Sequence, residues 1–199
     1  MRVGRFEISA GFLLLFAWLN YCDTEKRLFL TMTACFFHEL GHCLALRVLH
    51  INIRLIRLTC IGAQIYLDRS MTAMQECLVS FCGPAVNLIL SYFSFYVFHH
   101  KDFFRINLVL ACLNLMPIGQ LDGSRILQSA MSCVLSETVT QRIINLLHVI
   151  LGVILLFFGG ALIYFSGNFT LFLVASWLLS RMIPILKKKK IQILLKESK

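Results

Sequence analysis

Long apolar segments separated by short polar breaks account for most of the chain. We place them at about 6–22, 28–49, 73–98, 104–130, 143–165 and 168–186. A hydrocarbon core about 30 Å thick needs about 20 helical residues to cross it, and several of these segments reach that length. The pattern therefore predicts an all-α polytopic membrane protein with about six transmembrane helices.

The connection at residues 50–72 is longer than the others and has a different pattern. It combines β-branched residues, partial alternation of apolar and polar positions, and a central Gly62. This combination is typical of extended strands. Because a bare strand edge cannot face lipid, we expect a short membrane-associated β-hairpin, or strands that lie against the helices.

Composition supports a membrane location. Hydrophobic residues make up 58% of the chain, charged residues 15%, and the mean hydropathy is +0.78, whereas soluble domains carry about 25% charged residues. The N-terminal apolar run is followed by no small-x-small cleavage site, so we interpret it as a retained span. We expect a single transmembrane domain over residues 1–199, with no soluble domain appended.

The net charge of +9 lies mainly at one side of the predicted membrane. Lys187–Lys190 directly follow the last apolar segment, and no basic stripe with exposed aromatic residues suggests nucleic-acid binding. With six spans and a cytoplasmic N-terminus, all but four of the 19 basic residues fall on the cytoplasmic side. Basic residues favour that side, so we predict a multi-pass cell-membrane protein with both termini cytoplasmic, and the lipid bilayer as a partner.

The second apolar segment contains an HExxH pattern at residues 38–42. Ionisable groups at membrane depth are costly and usually functional. At about 100° per residue, His42 lies about 40° around the helix from His38, so both imidazoles can bind one Zn²⁺. Glu39 falls on the same side, where it can accept a proton from a water that the metal activates.

A catalytic zinc usually takes three protein ligands, and the third candidate here is Asp122. Pro117 and Gly119 precede it and should break the helix, which frees backbone groups for a bound peptide. The alternative is that Asp122 is the N-cap of a helix that begins near Ser124. The nearby HExxH pattern favours the ligand role.

The predicted topology places these residues at a common depth. The second and fourth segments run in the same direction, and His42 and Asp122 each lie about 10 Å from the cytoplasmic end of their segment. We therefore expect the active site nearer the cytoplasmic side of the membrane.

Other metal-binding residue types are less informative. The eight cysteines contain no CxxC pair, which argues against a thiolate zinc site. Cys35 and Cys43 flank the histidine pair, and His148 enters the fifth segment as a spare candidate ligand. Packing within the membrane is the favoured interpretation for all three, and their contact with the metal stays open.

Three motifs together resemble the site-2 protease family, the intramembrane zinc metalloproteases of peptidase family M50. They are HELGH at 38–42, FCGPAVN at 81–87 and NLMPIGQLDG at 114–123. The resemblance implies one Zn²⁺ per chain, zinc ligands at His38, His42 and Asp122, and a catalytic Glu39. It also implies substrate positioning by Asn114. We add Pro117, in the predicted helix break, and Gly62, in the strand region, as candidate substrate-binding residues.

The chain departs from the family pattern in two ways. Many members have a second proline shortly before LDG, where this chain has Gln120. Many also carry a PDZ or a CBS domain, and we expect neither here. The compact form is similar to the PDZ-less branch that includes the sporulation protease that processes pro-sigma-K, which favours a bacterial source.

The sequence thus predicts a metalloendopeptidase that cuts in or near transmembrane segments of membrane-tethered regulatory proteins. The substrate helix would unwind near residues 50–72, and a regulatory membrane partner stays open. A metal transporter that uses the same His/Asp cluster is one alternative, although polar residues are scarce on the outer side of the site. A non-catalytic relative that binds membrane substrates is the other, and Gln120 keeps it open.

Overall fold

The computed structural model of the chain describes residues 2–3, 6–23, 27–59, 62–119, 121–167, 169, 172–173 and 175–176. Gln120, Lys187–Lys190 and most of the predicted span 168–186 lie outside these residues. The chain divides into two compact units, Met1–Leu115 and Met116–Lys199.

The first unit combines a small sheet with a group of helices. Its elements are β1 (Arg2–Val3), β2 (Phe6–Ile8), α1 (Ala10–Cys22), α2 (Arg27–Val48), β3 (Ile53–Thr59), β4 (Gly62–Leu67), α3 (Ala73–Tyr96) and α4 (Lys101–Leu115). Helices α2, α3 and α4 all pack against one another. A capping box between Thr72 and Gln75 fixes the start of α3.

The predicted strand region forms part of a four-stranded sheet in the order β1-β2-β3-β4. Strands β3 and β4 are antiparallel, with Arg57 opposite Gln64, which confirms the expected strands at 50–72. Strand β2 adds in parallel to the other edge of β3. The side chain of Arg57 donates a hydrogen bond to Glu7, and the two charged groups form an ion pair of 3.0 Å that joins these strands. The hydrogen bond to Glu7 raises the pKa of Arg57.

The sheet lies against the helices through a small apolar core. This core contains Ala45 and Leu46 from α2, Ile51, and Val79 from α3. Apolar residues of the sheet region, Ile53, Ile65 and Leu67, pack against it. The strands therefore pack one face against the ends of α2 and α3, in agreement with the expectation that they lie against the helices.

The predicted first span begins too early. Residues Phe6–Ile8 form a strand because their alternating side chains suit a sheet and their backbone pairs with β3. Helix α1 starts only at Ala10, with Ser9 as its N-cap, and has 13 residues. At 1.5 Å per residue such a helix is about 20 Å long, which is shorter than a hydrocarbon core.

Three helices in the described part of the chain are long and apolar enough to cross a membrane. They cover Arg27–Val48, Ala73–Tyr96 and Glu137–Phe165. The protein is thus mostly helical with several candidate spans, and the total of six spans stays a prediction.

The predicted segment 104–130 is not one helix. Helix α4 ends at Leu115, and a new helix, α5, covers Asp122–Ser132. Between them lie Pro117, which cannot donate a helical hydrogen bond, and Gly119, whose φ of 59° is left-handed. The expected break is confirmed, and the prediction of one continuous segment over 104–130 is wrong. Helix α6 (Glu137–Ser166) follows in the second unit and packs against α5.

We expect Gly41→Ala to destabilise the first unit by about 1–3 kcal/mol, the usual cost of overpacking. A Cβ atom there would lie 2.7 Å from the carbonyl oxygen of Cys82, a backbone atom of α3, so the two helices would have to separate. Thermal unfolding of the purified protein in detergent measures the effect. Gly160→Ala is the control, because a Cβ at Gly160 meets no atom within 4 Å. Equal melting temperatures for the two variants would contradict the prediction.

Candidate metal centre

His38 and His42 face each other on α2, as the HExxH spacing predicts. Both are buried, and their Nε2 atoms lie 3.2 Å apart. Their rings meet edge to face, with centroids 4.8 Å apart. Two adjacent nitrogen ligands of a tetrahedral zinc, each about 2.0–2.1 Å from the metal, are separated by about 3.3 Å. The observed spacing therefore fits a pair of zinc ligands.

A hydrogen bond to the backbone of α3 orients the ring of His42. The Nδ1 atom of His42 lies 2.8 Å from the carbonyl oxygen of Val79. A carbonyl can only accept, so Nδ1 carries the proton and donates it, and the lone pair of the neutral ring is then on Nε2. Metal-binding histidines usually have such a partner on their second nitrogen. Val79 contributes through its backbone, which no side-chain motif reveals.

Gly83 leaves the space that the two imidazole rings occupy. A Cβ atom at this position would lie 2.5 Å from Cε1 of His42 and 2.9 Å from Cε1 of His38, and it would also run into Nε2 of His42. In the sequence, Gly83 was recognised only as part of the FCGPAVN motif, and this role was not predicted. A glycine beside a proline in the middle of a predicted span was the available signal.

The other residues of the HELGH motif lie on different faces of α2, one buried and one exposed. Gly41 lies on the buried face and packs against the backbone of Cys82. Leu40 is exposed on the opposite face. Glu39 follows His38 directly in α2 and is partly buried, so its side chain keeps some contact with the surroundings of the helix.

Asp122 belongs to the second unit, where it is the first residue of α5 and is buried. The N-cap of this helix is Leu121, so Asp122 lies one position later than the alternative interpretation required. Its carboxylate at the helix N-terminus is favoured by the helix dipole. Like the two histidines, it offers one ligand atom of a type that zinc accepts.

The three candidate substrate-binding residues occupy different elements. Asn114 is in the last turn of α4, and its Nδ2 donates a hydrogen bond of 3.1 Å to the carbonyl of Leu110. Pro117 is in the break before α5. Gly62 begins β4 with a φ of 127°, which suits a glycine, and its carbonyl accepts from the Thr59 hydroxyl at 2.9 Å.

Cys35, Cys43 and His148 were named from the sequence as further residues of metal-binding type. Cys35 and Cys43 are free thiols, partly buried on α2. His148 is buried in α6, and its Nε2 lies 2.8 Å from the hydroxyl oxygen of Ser124 on α5. This serine–histidine pair was not anticipated from the sequence.

Comparisons with known proteins agree with the motifs. The model of peptidase family M50 matches residues 102–159, a segment that contains Asn114, Pro117 and Asp122. The fold is similar to that of the site-2 protease from Methanocaldococcus jannaschii, with a TM-score of 0.68, 22% identity and 92% of each chain covered. No curated protein matches the sequence. The M50 model thus matches one segment of the chain, and the fold is that of a site-2 protease, both in agreement with the resemblance that the three motifs indicate.

Proposed function

We propose that the protein is a zinc metalloendopeptidase that hydrolyses peptide bonds in or near the transmembrane segments of membrane-tethered regulatory proteins. The observation that carries this proposal is the buried pair of Nε2 atoms on α2, 3.2 Å apart, in a helix long and apolar enough to span a membrane. Two imidazoles held in this way in an apolar helix need a function, because packing alone does not require them.

We propose that His38, His42 and Asp122 hold one zinc ion per chain. This set has the donor types of catalytic zinc sites with two histidines and a carboxylate, in which a further position stays open. When bound, the metal supplies a Lewis acid that polarises the substrate carbonyl and makes water more acidic.

Glu39 is the proposed general base. Its carboxylate accepts a proton from the attacking water and returns it to the leaving amine, so the same group acts in both halves of the reaction. Glu39 is adjacent to His38 in the HExxH motif, and its side chain is only partly buried. Neither His38 nor His42 needs to move a proton, because their ring nitrogens serve as ligands.

Substrate binding requires an extended peptide. Helical carbonyls are hydrogen-bonded and shielded by side chains, so a transmembrane substrate has to unwind before attack. Strand β4 is at an edge of the sheet, and an extended peptide can add to such an edge by backbone hydrogen bonds. We propose that Gly62 at the start of β4, together with Asn114 and Pro117, contacts the unwound segment.

The remaining features of the proposal follow from the sequence. They are a single transmembrane domain in a bacterial cell membrane, six spans, both termini in the cytoplasm, and an active site on the cytoplasmic side. A regulator released by cleavage would then enter the cytoplasm, as in the branch that includes the sporulation protease. A regulatory membrane partner is compatible with this arrangement.

The test is hydrolysis of a membrane peptide whose helix is weakened by glycine or proline near the expected cleavage site. The purified protein in detergent or liposomes should cut it, a chelator should stop the reaction, and added Zn²⁺ should restore it. A transporter or a substrate-binding relative would bind metal or peptide without cutting. Absence of cleavage with zinc bound and the fold intact would reject the protease proposal.

Asp122→Asn should weaken zinc binding by more than about 100-fold, the upper end of the loss seen when only a group that orients a ligand is removed. It should also slow cleavage, because it replaces a charged ligand by a neutral amide of equal size. Competition with a coloured chelator measures the affinity. Asp102→Asn is the matched control, since Asp102 is in the first turn of α4 and outside the proposed ligand set. Unchanged zinc affinity in Asp122→Asn would remove Asp122 from the site and leave the histidine pair in place.

A further inference from the structure

The second unit contains a buried serine–histidine pair that the proposed reaction does not use. Ser124 is 4% exposed and His148 is 8% exposed, and the hydrogen bond between Oγ and Nε2 is 2.8 Å long. In a hydrolase such a pair would suggest a nucleophile and its base. Here both groups are buried, so the arrangement fits an anchor between helices better than a second reactive centre.

The position of His148 in α6 is unusual. Residues 149–163 of this helix are apolar or glycine, so His148 is the last polar side chain before a long hydrophobic run. A polar side chain in such a place is costly unless it is hydrogen-bonded. The bond to Ser124 therefore holds α5 and α6 in one register, since apolar packing alone allows neighbouring arrangements.

Ser124 lies two residues after Asp122 in the first turn of α5. At about 100° per residue the two side chains point about 200° apart, so they leave opposite sides of the helix. When Ser124 is bonded to α6, Asp122 is directed away from α6. Rotation of α5 about its own axis would break the Ser124–His148 hydrogen bond and turn the Asp122 carboxylate in another direction.

Helix α5 needs such an anchor because of what surrounds it. It has 11 residues, and the segment before it contains Pro117 and a left-handed Gly119. A short helix after an irregular segment is not held in place by the chain that precedes it. Its contacts with α6 can fix its rotation.

We propose that the Ser124–His148 hydrogen bond is a positioning device that sets the rotation of α5, and with it the direction of the Asp122 carboxylate. The proposal rests on the proposed role of Asp122 as a zinc ligand. Ser124 and His148 act through Asp122 and contact neither metal nor substrate in this scheme.

The experiment compares Ser124→Ala, His148→Leu and the double variant in the full-length protein. We expect each single variant to lower zinc affinity about tenfold, the lower end of the range for groups that orient metal ligands. The Co²⁺-substituted protein should show a changed visible absorption spectrum, because the ligand geometry changes. The double variant should be no worse than the poorer single variant, since one hydrogen bond is lost in all three.

His148→Gln is the rescue variant, because its side-chain amide can reach Ser124 and form the same bond. It should keep most of the zinc affinity, whereas the shorter His148→Asn should not, and this pair decides the question if His148→Leu does not fold. Ser129→Ala is the matched control. Ser129 is a buried serine on the same helix, and within the described residues its hydroxyl oxygen has no hydrogen-bond partner.

The outcomes separate this inference from the function on which it rests. Loss of thermal stability with unchanged zinc affinity and Co²⁺ spectrum in Ser124→Ala and His148→Leu would overturn the positioning role. Additive losses in the double variant would overturn it as well. If Asp122→Asn also leaves zinc binding unchanged, the ligand assignment itself fails; if only Asp122→Asn weakens binding, the positioning role alone fails.

Discussion

Glu39→Gln should reduce peptide cleavage by about 10²- to 10⁴-fold, the range expected when a general base is removed. The amide has nearly the size of the carboxylate but cannot take a proton from water at neutral pH. Because Glu39 is not among the proposed ligands, zinc content and melting temperature should stay close to those of the unaltered protein. Steady-state cleavage of the helix-weakened peptide, with zinc measured on the same samples, tests both statements.

Glu76→Gln is the matched control for this variant. Glu76 is also a partly buried glutamate of the first unit, in the first turn of α3, and it lies outside the HExxH motif. Its replacement should leave cleavage within a few-fold of normal. If Glu39→Gln cuts as fast as Glu76→Gln, the proton acceptor is another group and the proposed mechanism is wrong.

Much of this site could be predicted because helical periodicity relates sequence to space directly. The four-residue spacing of His38 and His42 requires the two rings to lie one turn apart, and the structure places their Nε2 atoms in contact. The break before Asp122 was equally predictable, since Pro117 lacks a backbone donor and Gly119 tolerates a left-handed φ. These local rules do not depend on what packs nearby.

Features that depend on partners distant in sequence were harder to predict. Phe6–Ile8 continues an apolar run and was assigned to the first span, but it pairs with β3, about 50 residues later. The orientation of His42 depends on a backbone carbonyl 37 residues away. Hydropathy has no information about such pairings, because a strand and the start of a helix can have the same composition.

The sequence also gave no indication that Ser124 and His148 meet. Each had a separate interpretation: Ser124 was expected near the start of a helix, and His148 was interpreted as a packed histidine or a spare ligand. Only the pairing of α5 with α6 brings their polar atoms to 2.8 Å. The functional reading of His148 therefore changes from a spare ligand to a residue that orients a helix.

Gly83→Ala should remove metal binding and cleavage together while the helices still form. The added Cβ would lie 2.5 Å from Cε1 of His42 and 2.9 Å from Cε1 of His38. An imidazole is rigid, so the ring of His42 can escape only by rotating about its side-chain bonds. That rotation breaks the 2.8 Å hydrogen bond from Nδ1 to the Val79 carbonyl and turns Nε2 away from its position beside His38.

Gly160→Ala is the matched control, because it makes the same change within a helix where the new Cβ meets no atom within 4 Å. It should bind zinc and cut peptide normally. Circular dichroism and zinc analysis of purified Gly83→Ala should show retained helix with little metal, a combination that general unfolding does not produce. Gly41→Ala gives a useful contrast, because its added Cβ clashes with the backbone of Cys82 and not with a histidine ring. It should therefore lower the melting temperature more than it lowers the zinc affinity. If Gly83→Ala binds zinc as tightly as Gly160→Ala, the histidine rings do not need the space that this glycine leaves, and the geometry inferred for the metal centre is wrong.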